Sequence, residues 1–193
     1  MTMLNNLEKY DVVLGSNSPR RRELLDDMGV KFRVEAIKGI DENYPASLPV
    51  EEIPVYLARV KADGHPLQPA ELLITADTVV VLDEAVLGKP ASETEARSML
   101  RALSGRAHRV ISGVCVTTAT RQESFADTSI VHFAELSDEE IDYYVNNYRP
   151  LDKAGAYGIQ EWIGNIGISG INGDFYNVMG LPTRKLYQLL KTF

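Results

Sequence analysis

The sequence predicts an α/β fold with a mixed sheet, and three observations predict it. Strand-like and helix-like segments alternate through the first half of the chain. Two long runs rich in β-branched residues then follow each other across a short polar turn, which reads as a hairpin and makes the sheet mixed rather than purely parallel. Helix starts are written plainly, at Ser18-Pro19, at Ser92-Glu93-Thr94-Glu95 and at Ser137-Asp138-Glu139-Glu140.

The elements follow in order. An apolar run predicts a strand at Tyr10–Gly15, ended by a Ser/Asn turn. Ser18 then serves as N-cap and Pro19 as first residue of a helix reaching about Met28. Lys31–Ile37 reads as a strand, and Gly39–Pro49, rich in turn formers, as a loop carrying Asp41-Glu42. A helix from Val50 to about Ala62 precedes the strand Leu72–Leu82, whose near-continuous apolar character predicts a central position. Asp83-Glu84 turns the chain, and Val86-Leu87 leads into Gly88-Lys89-Pro90. A helix over Glu93–Leu103 is followed by strands at Arg106–Thr118 and Glu123–Phe133, then a helix at Glu139–Tyr148. Seven of the 14 glycines fall between Gly155 and Gly180, and a last helix runs from about Thr183 to Leu190.

At 193 residues the chain fits one domain, residues 1–193, with room for a proper core. A net charge of −7 argues against a nucleic-acid polymer as partner, so any polyanionic ligand is small and met by clustered Arg and Lys. The single cysteine, Cys115, lies in a strand-like run and reads as a buried structural thiol. No apolar stretch approaches the ~18 residues of a membrane span, and no signal-peptide pattern is present. A cytoplasmic protein without membrane contact is expected.

Two anomalies carry the functional reading. Arg20, Arg21 and Arg22 occupy a first helical turn, where the helix dipole favours acids, whereas the other two capped helices obey that rule. An anion, most simply a phosphate group, resolves the conflict. Leu24, Leu25 and Met28 define the apolar stripe. Arg21 therefore extends the inward face, Arg20 borders it, and Arg22 points elsewhere, within reach of Asp26. Ser16 and Ser18 add donors in the turn. The second anomaly is Asp77 inside the central strand, where a carboxylate needs a cation. Lys89 is one candidate, and a divalent metal is another, with Glu42 as a second oxygen ligand.

Further along, Asp152–Gln160 is polar, glycine-rich and aromatic. Its glycines allow close approach to a ligand, and the amide of Gln160 can read a base edge, although an irregular surface loop has the same composition. A P-loop is excluded by Asp83 and Pro90 at required Gly and Ser/Thr positions. His65, His108 and His132 share no zinc-ligand spacing.

Ser16-Asn17-Ser18-Pro19-Arg20-Arg21, Asp41-Glu42, Ala58-Arg59-Val60-Lys61-Ala62, Ala76-Asp77-Thr78-Val79-Val80, Gly88-Lys89-Pro90, Ser104-Gly105 with His108 and Val110, Ala154–Gln160 and Asn177–Pro182 together resemble the Maf family of nucleoside triphosphate pyrophosphatases. The resemblance implies hydrolysis between the α and β phosphates with a divalent metal, and Glu42 matches a polar site position; from the residues themselves, Glu42 and Asp77 are expected to hold that metal as Mg²⁺ or Mn²⁺. The resemblance also implies Asp77 as proton acceptor, with Arg20, Thr78 and Gln160 setting a preference for dTTP and UTP. Ser16, Arg21, Lys61 and Lys89 match further substrate-binding positions. The implied fold is an elongated mixed sheet flanked by helices, with two lobes and a cleft, often a homodimer. A 7-methyl-GTP pyrophosphatase and a non-catalytic nucleotide sensor are the alternatives. The chain departs from the family pattern at Ser112, at Ala156, where Gly is frequent, and at Glu161, where Gly is common.

Overall fold

The computed structural model describes residues 3–193. Seven strands form one mixed sheet in the order β2-β1-β3-β5-β6-β7, with β4 paired to β3. The strands are β1 (Asp11–Leu14), β2 (Arg33–Val34), β3 (Glu71–Leu82), β4 (Ala85–Leu87), β5 (Ala107–Thr118), β6 (Arg121–Phe133) and β7 (Ile168–Asn172). The helices are α1 (Pro19–Asp27), α2 (Ile53–Asp63), α3 (Glu93–Leu103), α4 (Asp138–Tyr148), α5 (Trp162–Gly167), α6 (Phe175–Met179) and α7 (Thr183–Leu190). β1 runs parallel to both β2 and β3, while β4 is antiparallel to β3 and β7 to β6. The expected mixed α/β architecture is present.

The caps act as the sequence predicts. Ser18 accepts a hydrogen bond from Arg21 N–H with Pro19 in the first turn, Ser92 accepts from Glu95 N–H, and Ser137 with Glu140 closes a reciprocal capping box. Differences lie where tertiary pairing decides. The strand expected at Lys31–Ile37 shrinks to Arg33–Val34, the two residues that pair with Val13 and Leu14 of β1. The glycine-rich stretch, given no elements between Asp152 and Gly173, contains α5 and β7.

Backbone proximity divides the chain into two compact units. The first comprises the residues up to Asp77, Ser112–Asp127 and Gly180–Phe193; the second comprises Thr78–Ile111 and Thr128–Met179. In the first unit Val13, Ala58, Ala62, Leu73 and Cys115 form a buried cluster, and burial raises the Cys115 pKa, as a structural thiol requires. α2 lies tight against β5: a Cβ at Gly113 would sit 2.2 Å from the Pro54 carbonyl carbon. Thr75 Oγ1, fully buried, donates to Ala58 O at 2.7 Å and fixes α2 against β3. In the second unit Leu100, Leu103, Phe133, Ile141, Tyr144 and Tyr157 centre the core.

Candidate functional site

In the first unit the chain leaves the sheet after β1 and turns into α1. Gly15 N–H donates to Ile74 O at 2.8 Å, the last pairing before β1 departs from β3. Alternate carbonyls along a strand face the same side, so Ala76 O is the next acceptor on that vacated edge. Arg21 takes it: Nη1 donates to Ala76 O at 2.8 Å, and Nε donates to Gly180 O at 2.9 Å. A weaker contact joins Nη1 to Ser16 Oγ at 3.5 Å. The expected inward guanidinium is therefore present, but backbone carbonyls take a large share of its donors. Burial lowers the Arg21 pKa, with Asp77 opposing, Arg20 adding to the fall and Glu42 opposing.

One residue on, Asp77 sits at the end of the first unit's stretch of β3. Its cation is Lys61, whose Nζ lies 2.6 Å from Asp77 Oδ1 and 3.1 Å from Glu42 Oε1. Lys89, offered from the sequence as a nearby cation, lies in the exposed Gly88-Lys89 loop of the second unit, and the observed ion pair is with Lys61. Spacing did contain this signal. Lys61 follows Leu57 by four residues and Ala58 by three, so it extends the buried stripe of α2 toward β3. The Lys61 and Asp77 side chains are 14% and 15% exposed, so the pair is shielded while Glu42, at 55%, meets it from the solvent side.

That arrangement answers whether a divalent cation fits. Glu42 and Asp77 come from a loop and a strand, yet both direct an oxygen at one positively charged atom. Hard oxygen donors converging on a cation, with solvent on one side for water and phosphate oxygens, are the set that Mg²⁺ and Mn²⁺ take. The residues fit such an ion.

A second group of acids and a histidine escaped the sequence reading. Glu35, His65 and Glu71 bring ligand-type atoms within 4.8 Å of one another. Arg33 already pairs with Glu35 and Glu71, and it lies 2.9 Å from Asp11. The other Glu71 oxygen meets His65 Nε2 at 3.0 Å and Gln68 N–H at 2.9 Å. Burial raises the Glu71 pKa, but the Gln68, His65 and Arg33 contacts outweigh it and the net shift is downward. The group is a saturated ionic clasp at the starts of β1, β2 and β3.

In the second unit Thr78 is half-buried on β3 and Gln160 is exposed. Gly155 N–H donates to Gly88 O at 3.1 Å, which joins the Lys89 loop to the glycine-rich segment. Gly155 has φ +67° and its missing Cβ would press on the Val80 side chain at 3.0 Å. Ala156 also has positive φ, 61°, which explains why a glycine suits that position. Glu161 is tied down within the second unit. Its carboxylate accepts from Tyr144 Oη and pairs with Lys153 Nζ at 3.1 Å, while Tyr144 Oη accepts from Gly158 N–H at 3.0 Å. The departure from Gly thus clamps the Gly158–Glu161 turn. His108, packed on Phe133, meets Tyr157 Oη through Nε2 at 2.7 Å; burial, with His132 adding, pulls its pKa down to about 4.

No helix among the described residues is long and apolar enough to cross a membrane. Residues 11–193 match the family described as Maf-like protein. The chain is 58% identical over 191 residues to the dTTP/UTP pyrophosphatase of Phocaeicola vulgatus, covering 98% of this chain and 99% of that one. It is 56% identical over 193 residues to the dTTP/UTP pyrophosphatase of Parabacteroides distasonis, covering 99% and 100%. Among solved structures, a HAM1 protein from Coxiella burnetii shares the fold at a TM-score of 0.53 and 14% identity, covering 95% of this chain and 100% of that one.

Proposed function

The chain belongs to the Maf family, and on that premise we propose that it hydrolyses dTTP and UTP to the monophosphate and pyrophosphate. The observation that carries the reading is the convergence of Glu42 and Asp77 on one cationic point, Lys61 Nζ, one residue beyond the carbonyl that Arg21 holds. The names of relatives more than half identical to it support the same substrates. Glu161, bound to Tyr144 and Lys153, is no obstacle to a pyrimidine preference.

In this mechanism Arg20, Lys61 and Lys89 grip the triphosphate, and Ser16 adds a hydroxyl donor beside Arg21. Arg21 fixes the α1 turn to β3 and directs its remaining charge at the phosphates. Lys61 turns its ammonium from Asp77 to a phosphate oxygen as substrate enters. Asp77 then accepts a proton from water as the water oxygen bonds to the α phosphorus and the α–β bridging bond breaks. Pyrophosphate carries away the bond pair, its charge met by Lys61 and Lys89. Mg²⁺ or Mn²⁺, held by Glu42 and Asp77, would supply charge neutralisation along the triphosphate. Arg20, Thr78 and Gln160 set the base preference. Residues 1–193 act as one Maf-like domain, as a cytoplasmic homodimer.

A panel of triphosphates with Mg²⁺ and Mn²⁺ tests the proposal. Monophosphate and pyrophosphate from dTTP and UTP are expected. Preferential cleavage of 7-methyl-GTP removes the pyrimidine assignment, diphosphate with phosphate removes the reaction, and binding without any product identifies a sensor. Sedimentation and localisation in cells check the dimer and the compartment.

A further inference from the structure

Gln160 stands on a rigid corner. Glu161 N–H donates to Gly158 O at 3.0 Å and closes a turn whose two middle residues are Ile159, facing the core, and Gln160, facing out. α5 begins at once and packs on that turn so closely that a Cβ at Gly164 would lie 1.7 Å from Ile159 O. Beside the turn, within the second unit, opens a concavity of about 550 Å³ walled by Ile159, Gln160, Asn165, Ile168, Ile171 and Phe175. Its size falls within the range of small-molecule sites, and its walls combine aliphatic surface with two carboxamides and one aromatic ring.

Phe175 is the unexpected member. It is 41% exposed, yet its mount is fixed on both sides. Ser129 Oγ donates to Asp174 O and accepts from Asp174 N–H, both at 3.0 Å. Asn177 Nδ2, fully buried, donates to Val110 O and Ser129 Oγ, also at 3.0 Å. An exposed ring on an anchored backbone suits stacking against a flat ligand, because little freedom is lost when the ligand arrives.

We infer that this concavity seats the pyrimidine base, with Phe175 as its stacking face and Asn165 joining Gln160 in reading its edge. Uracil and thymine present carbonyl acceptors beside an N–H donor, and a carboxamide complements both. The inference rests on the pyrimidine triphosphate reading above. It adds two specificity residues, Phe175 and Asn165, that lie outside the segments carrying the family resemblance.

Calorimetric titration with UMP and with inorganic triphosphate separates the base from the phosphates. Base stacking on an aromatic ring predicts that Phe175→Ala weakens UMP about tenfold and leaves triphosphate binding within twofold. Phe175→Trp restores UMP affinity, whereas Phe175→Leu, which keeps the apolar bulk, does not. Asn165→Ala raises KM for UTP and changes the UTP-to-CTP ratio of kcat/KM, a readout that loss of fold would not move selectively. UMP affinity within twofold of wild type in both Phe175→Ala and Phe175→Leu overturns the inference. So does conversion of a dimer to monomers by Phe175→Ala with UMP affinity retained, which makes this face an interface between copies. If wild type binds UMP but releases no pyrophosphate from UTP, the proposed reaction fails while the titrations still decide the pocket.

Discussion

Lys61 Nζ is 2.6 Å from Asp77 Oδ1, and the same ammonium reaches Glu42 at 3.1 Å. One lysine on α2 thus gathers a strand carboxylate and a loop carboxylate separated by 35 positions in sequence. Two acids held together in this way would repel each other without a cation between them. The position calls for a cation, and the Lys61 ammonium fills it.

Asp77→Asn keeps the shape of the side chain and its contact with Lys61 but removes the proton acceptor. Turnover of dTTP falls by ~10²-fold or more, in line with loss of a general base, while the melting temperature changes little. Pyrophosphate release measured beside thermal unfolding checks both halves. Normal turnover would falsify the assigned role.

Glu42→Gln keeps a hydrogen-bond acceptor but removes a charged oxygen donor. The Mg²⁺ concentration for half-maximal activity rises by about tenfold or more, with a smaller effect at saturating metal. Activity titrated against free Mg²⁺ reads this directly. An unchanged midpoint removes Glu42 from the metal site.

Arg21 and Arg20 are neighbours with different work. Arg21→Lys loses the planar fork that spans Ala76 O and Gly180 O, so stability falls by about 1–3 kcal/mol as those carbonyls lose a charged donor. Arg20→Lys changes the balance of dTTP and UTP hydrolysis, because it removes the planar fork assigned to the substrate. Urea unfolding of the two variants, beside their kinetics, distinguishes tether from substrate contact. Equal destabilisation by both contradicts the division.

His108 links stability to pH. Its ordinary pKa is 6.5 and its folded value is about 4, since burial, with His132 adding, disfavours the imidazolium. Nδ1 is buried without a hydrogen-bond partner among the described residues, so a second ring proton would be costly there. The unfolded chain takes up that proton first on acidification. The stability contribution is complete above pH 6.5 and is lost as pH falls through the folded value, about 3 kcal/mol in all. His108→Gln flattens that window in urea titrations between pH 4 and 7. A slope equal to that of wild type rejects the linkage.

Gly113→Ala probes the α2 contact that places Lys61. With 2.2 Å between the new Cβ and the Pro54 carbonyl carbon, α2 must shift away from β5. Destabilisation of about 1–3 kcal/mol is expected, with a loss of activity exceeding what unfolding explains. Thermal melts and activity measured well below the transition separate the two effects.

Much of this is legible in the sequence. The three capped helices appear where Ser18-Pro19, Ser92 and Ser137–Glu140 announce them, because capping is a matter of a few neighbouring dihedrals and donors. β3 was legible as an apolar run, and Asp77 as its exception. β2 was overestimated because strand length depends on tertiary pairing, and only Val13 and Leu14 of β1 pair with it. α5 and β7 were missed because glycines at 164, 167 and 170 erase the periodicity that marks short elements.

By itself, then, the sequence determined the caps, the order of the long elements, the positive charge at the start of α1 and the lone acid in β3. These follow from local energetics acting over a turn or two of chain. Tertiary structure decided that Lys61 neutralises Asp77, that Arg21 holds two carbonyls, and that Glu161 turns to Tyr144 and Lys153. Each of those partners is chosen by where distant backbone leaves a charge or a carbonyl unpaired. That depends on how the strands and helices pack, which nearby residues alone do not encode.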